Sequence, residues 1–157
     1  MVTVKIEIKP HLAEYILGKY NGCEPGAVKF PDKIDLYHTI YDLLEKRPSN
    51  VSKDDGNLEI VLPERSSGKK TSSFNYLGVR SVKIVEKKIM VLFWAEVHDF
   101  LDEQKHRRGI EYKEAVYSFV RKYDITSIDE GTLLKNYYRW RENIRKRNKR
   151  RKYQKSE

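Results

Sequence analysis

Only one cysteine, Cys23, occurs in the 157 residues. A lone thiol excludes an internal disulfide, and no Cys/His cluster has the spacing of a zinc site. A reducing compartment, and with it a cytoplasmic location, is the expectation. Long hydrophobic runs are missing as well. The longest, Ile89 to Ala95, has seven residues, against the roughly 20 needed to span a bilayer. The first residues alternate Val2, Val4, Ile6 and Ile8 with polar neighbours, so no signal peptide is expected. No Ser/His/Asp or Cys/His arrangement can be assembled from the order of residues, and no catalytic residue is assigned. Gly68-Lys69-Lys70-Thr71 falls short of a phosphate loop, because Pro63 stands where the first glycine belongs and Lys70 takes the hydroxyl position. No cofactor and no metal site are expected.

What the chain does have is positive charge with one address. From Lys135 to Glu157 there are eleven basic residues against Glu142 and Glu157, a surplus of nine that equals the net charge of the whole chain. The first 134 residues hold 21 basic and 21 acidic groups, so the body is neutral. Such segregation points to a polyanionic partner. Although 35% of residues are charged, the 39% that are hydrophobic recur in ordered patterns, which predicts a folded chain.

Residues 2 to 9 and 57 to 62 alternate apolar and polar with period two, predicting two strands paired across the sequence. Between them, Pro10 to Tyr20 and Lys33 to Lys46 read as helices. The first is closed by Asn21-Gly22 and the second opened by Asp32 as N-cap. Arg65 to Ser73 is polar and aperiodic, predicting a mobile loop. From Ser81 to about Lys105, Val82, Val85, Ile89, Leu92, Phe93, Val97, Phe100 and Leu101 recur at three and four, the stripe of a central amphipathic helix ended by Arg108-Gly109. Glu111 to Tyr123 forms a second amphipathic helix. Ser127-Ile128-Asp129-Glu130 has the spacing of a capping box opening a third.

The expected fold is α+β: a small N-terminal lobe of two or three antiparallel strands with two helices (1–64), a loop (65–80), a helical domain with a helix-turn-helix-like pair (81–144) and a basic tail (145–157). On the last helix, Leu133, Leu134, Tyr137, Trp140 and Ile144 share one sector. Lys135, Arg139, Lys146 and Arg150 lie opposite, with Asn136 and Asn143 beside them. Past Ile144 the apolar stripe ends while charge continues, predicting a frayed tail until a partner neutralises it.

Arginine and asparagine can each make paired hydrogen bonds to a purine edge, and a basic tail gains affinity by releasing counterions. The candidate nucleic-acid-binding residues are therefore Lys135, Asn136, Arg139 and Asn143 for base edges or flanking phosphates. Arg145, Lys146, Arg147, Lys149, Arg150, Arg151 and Lys152 are assigned to the backbone. Duplex DNA is favoured over RNA or single strands, with Tyr138 the candidate for base stacking. A protein-interaction adaptor with a basic tail is the competing class. A metal-dependent nuclease using Glu96, Asp99, Asp102 and Glu103 with His98 is the weaker alternative. The neutral N-terminal lobe is expected to serve as a dimerisation or partner surface, and no membrane contact is expected.

The stretch Phe93 to Arg141, through the patterns at Tyr117 to Tyr123 and Lys135 to Arg141, resembles small uncharacterised proteins of Bacteroides-type gut bacteria, some carried on prophages or conjugative elements. The resemblance covers about a third of the chain and implies a DNA-binding or replication accessory role in a mobile element. It carries no activity onto individual residues.

Overall fold

A computed structural model describes residues 2–20, 26–51 and 54–155. The fold is α+β. In chain order the elements are β1 (Thr3–Ile6), α1 (Pro10–Lys19), β2 (Ala27–Val28), α2 (Asp35–Leu43), β3 (Glu45–Lys46), β4 (Leu58–Val61), β5 (Phe74–Tyr76), α3 (Val79–His106), α4 (Tyr112–Lys122) and α5 (Glu130–Lys155).

The alternating stretches pair as expected. β1 and β4 run antiparallel with Thr3 opposite Val61 and Ile6 opposite Leu58, burying Val4, Ile6, Leu58 and Ile60 on one face. Asn57 prolongs the ladder, accepting from the Ile8 amide at 3.0 Å and donating to the Ile8 carbonyl at 2.7 Å. The third strand, β2, lies parallel to β4 on its other side, giving the order β1-β4-β2.

α3 is the spine. Its buried Val85, Ile89, Phe93, Val97 and Leu101 belong to one hydrophobic cluster that runs from Val4 in the sheet to Tyr137 in α5. The N-terminal lobe and the helices therefore share a core. Phe93 sits in its middle, with edge-on contacts to Tyr15 at 5.2 Å and Phe119 at 6.0 Å, the arrangement aromatic quadrupoles favour. α1 reaches the C-terminal end of α4 at Gly18, where a Cβ would lie 2.6 Å from the Tyr123 carbonyl oxygen. Only glycine permits that approach.

Several boundaries differ from the sequence reading. α2 begins at Asp35 with Ile34 in the cap position and no side-chain cap, so Asp32 is not its N-cap. It also stops at Leu43, because Glu45 and Lys46 turn into a strand that pairs with β5. That second sheet lies partly within the stretch read as loop. Arg65 to Ser73 is not the free loop expected. The Lys69 ammonium donates to the carbonyls of Asp42 at 2.7 Å and Leu44 at 3.0 Å, a cation satisfying the last carbonyls of α2. Arg65 stacks over the Tyr41 ring at 3.9 Å. Asn21 and Gly22, expected to close α1, lie outside the described residues, as does Cys23.

α3 ends at His106, and Gly109 takes a positive φ of 66°, as the Arg108-Gly109 signal predicts. α4 ends in a Schellman motif: the Ile125 amide reaches the Val120 carbonyl at 2.8 Å and the Asp124 amide that of Arg121 at 3.3 Å. Asp124 occupies the left-handed position with φ 54°. Buried Ile125 supplies the apolar contact that accompanies such caps.

Candidate nucleic-acid interface

α5 owes its direction to what holds its first half. Leu133 and Tyr137 are fully buried, and Leu134 and Trp140 pack against the same core. Two polar links fix the helix to α3. The Tyr137 hydroxyl donates to Asp102, which also receives Arg141 at 2.8 Å. One turn away, His98 meets the Asn136 side-chain oxygen at 2.7 Å and stacks on Trp140 with ring centroids 4.5 Å apart. Burial, then the Asp102 acceptor, push the Tyr137 hydroxyl above the usual phenol range.

The start of α5 is held by a residue 112 positions away. Glu14 on α1 accepts from the Thr126 amide at 2.8 Å, the Thr126 hydroxyl at 2.9 Å and the Ser127 amide at 3.0 Å. Burial alone would raise this carboxyl. The hydrogen bonds from Ser127 and Thr126 outweigh it, and the pKa lies below the usual glutamate value. This replaces the capping box inferred from Ser127 to Glu130. The helix begins at Glu130, and the Asp129 carbonyl takes the first amides, from Thr132 and Leu133. Residues 123–129 between α4 and α5 make a seven-residue link, longer than the three to four typical of a helix-turn-helix.

The candidate residues divide into three groups. Lys135, Arg139, Asn143 and Lys146 are exposed on the side away from the core. The last three border, with Tyr138 and Glu142, a shallow depression of about 460 Å³. Asn136 is not with them: its oxygen is committed to His98, on the packed side. Arg145, Arg147, Lys149, Arg150, Arg151 and Lys152 are all exposed. They do not lie on a frayed tail, since α5 continues unbroken to Lys155. The segment has no glycine, proline or β-branched residue, and lysine and arginine are good helix formers. Helix propensity thus carries the backbone past the point where packing stops. Arg141, one of the eleven basic residues, is spent inward on Asp102.

Two of the four carboxylates considered for a nuclease, Glu96 and Asp102, serve the fold, while Asp99 and Glu103 are exposed. Glu96 accepts from the hydroxyls of Tyr15 and Tyr123 and from Lys19 at 3.0 Å, joining α1, α3 and α4. Asp102 points to α5 instead. Among the described residues, no group of three or more His, Cys, Asp or Glu is placed to hold a metal ion. Nor is any described helix long and apolar enough to cross a membrane.

Sequence reasoning missed Glu14, His98 and Asp102 as the residues that aim α5. Each acts across at least 35 positions, and no local pattern marks such a pairing. No family model, curated protein sequence or solved structure matches the chain.

Proposed function

We propose that this protein binds nucleic acid without catalysis, through α5, and that duplex DNA is preferred over RNA or single strands. The observation that carries the reading is the separation of charge along a fixed helix. A neutral body anchors residues 130–144, and beyond them Arg145 to Lys152 places seven basic residues, all exposed, with no acidic residue between them in the sequence. Lys135, Arg139 and Asn143 continue the exposed polar surface back to the body. α4 and α5 act as a helix-turn-helix-like pair with an extended turn, α5 being the helix that meets the duplex. In this reading the protein works in the cytoplasm as a regulatory or replication accessory protein of a mobile element.

A homodimer is part of the proposal. Ile84, Val91 and Leu92 on α3 are exposed and line a groove of about 620 Å³ with Tyr20, Ile34 and Leu36 of the N-terminal lobe. Among the described residues this surface lies apart from α5. Analytical ultracentrifugation of the full chain and of Val91→Asp should give a dimer and a monomer respectively, and a monomeric parent would remove the dimer from the proposal.

The binding reading is tested by fluorescence anisotropy with duplex DNA, single-stranded DNA and RNA at matched salt. Duplex DNA should bind tightest. Equal affinity for all three would leave only a charge interaction. Binding to none of them, with capture of an acidic protein instead, would move the chain to the adaptor class.

A further inference from the structure

The end of α5 differs from a helix made to lie on a surface. At about 100° per residue, Arg145, Lys146, Arg147, Lys149, Arg150, Arg151 and Lys152 are distributed round the full circumference, with no gap wider than about 100°. All seven are exposed, and none of Arg145 to Arg151 has an ion-pair partner among the described residues. A flat acidic surface neutralises one side of such a helix and leaves the other side repelling itself. A membrane surface asks for an apolar face, and the only aromatic or aliphatic residue after Ile144 is Tyr153.

We infer that the projecting end of α5, from Arg145 onward, enters the major groove of a B-form duplex as a helix, with basic side chains reaching phosphates on both walls. This rests on the reading of α5 as a nucleic-acid interface and adds the groove and the bound conformation. The major groove is about 12 Å wide and admits a helix, while the minor groove, about 6 Å wide, does not. The A-form major groove is deep and narrow, which excludes duplex RNA from this mode. Residues 145–155 span about 16 Å of helix, roughly five base pairs. Like charges one turn apart, Arg145 with Lys149, Lys146 with Arg150 and Arg147 with Arg151, oppose the helix in water. Phosphates on either side remove that opposition, so binding and helix formation reinforce each other.

Asn148 allows a test that leaves every charge in place. It is exposed and lies beyond the packed part of the helix, so Asn148→Pro breaks the projecting end without touching the core. Affinity for a random-sequence duplex is measured by anisotropy for the full chain, Asn148→Pro and Asn148→Ala. Protection of guanine N7 from methylation is measured alongside, with thermal melting as the check on folding. The inference expects the full chain and Asn148→Ala to bind alike and to protect N7, a major-groove atom. Asn148→Pro should lose about tenfold in affinity or more, with N7 protection gone and the melting temperature unchanged. A proline variant that binds within about twofold of the parent, or a bound parent that leaves N7 open, overturns groove insertion while the nucleic-acid reading stands. A full chain that binds no duplex at low salt overturns both.

Discussion

The two halves of α5 have the same secondary structure and opposite reasons for it. From Glu130 to Ile144 the helix is defined by its partners: Leu133 and Tyr137 in the core, Asp102 and His98 on α3, and Glu14 at its threshold. From Arg145 to Arg151 every side chain is exposed, and the helix persists on backbone propensity against its own charge. The first half is aimed but carries little charge. The second carries the charge and takes its aim from the first. On the proposed nucleic-acid reading, specificity and orientation reside where the helix is docked, and affinity where it is free.

The contrast predicts that damage to the docked half lowers stability and damage to the free half does not. Tyr137→Ala removes a fully buried ring and its bond to Asp102, and should cost about 3 to 5 kcal/mol in denaturant unfolding. A loss below about 1 kcal/mol would mean that α5 is not held by the core. Arg139→Ala sits where the halves meet in function. It should weaken a preferred duplex site by roughly 1 to 3 kcal/mol if it reads a base, and random DNA by less. Equal losses on both would reduce Arg139 to a phosphate contact.

Glu14→Ala should cost about 1 kcal/mol by freeing the amides of Thr126 and Ser127. The same carboxylate makes the docked half sensitive to acid. The folded pKa of Glu14 is depressed, and so is that of Glu96, where burial is outweighed by the bonds from Tyr123, Tyr15 and Lys19. Their contribution is fully present above the unfolded glutamate pKa of about 4.5 and is lost as pH falls through the lower folded values. Unfolding measured from pH 6 down to 3 should show stability declining across the acid end, less steeply in Glu14→Gln. An unchanged slope would show that Glu14 is not coupled to folding. The smallest effect belongs to Asp124→Gly, which relieves a left-handed residue and should raise stability by up to about 1 kcal/mol. A drop in melting temperature would indicate that the Asp124 carboxylate is needed in the turn.

Legibility followed the length of the pattern. α3, at 28 residues, and the alternation of β1 and β4 were readable because several apolar positions agreed on one period. Even there Leu92, included in the stripe, is 40% exposed, since a wheel gives a sector and not the width of the neighbour that covers it. β2 and β3, at two residues each, are too short to have a period. Asn136 lies at the margin of the apolar sector, and only the position of His98 decides that it turns inward. The Ser127 signal had the right spacing, but a carboxylate 113 positions away claimed the amide instead. The residues of α5 that pack against the core end at Trp140, one turn before the apolar stripe ends at Ile144. Taking the end of the stripe as the end of the helix confused packing with propensity.

The division of labour along α5 is tested most directly by the salt dependence of duplex affinity, for the full chain and for a chain ending at Ile144. If six to eight phosphates are contacted, log affinity should fall against log salt with a slope of roughly −5 to −7. Truncation should flatten that slope to about −2 or less, leaving only Lys135 and Arg139 near phosphates, while the melting temperature stays unchanged. Equal slopes for the two chains would contradict the account.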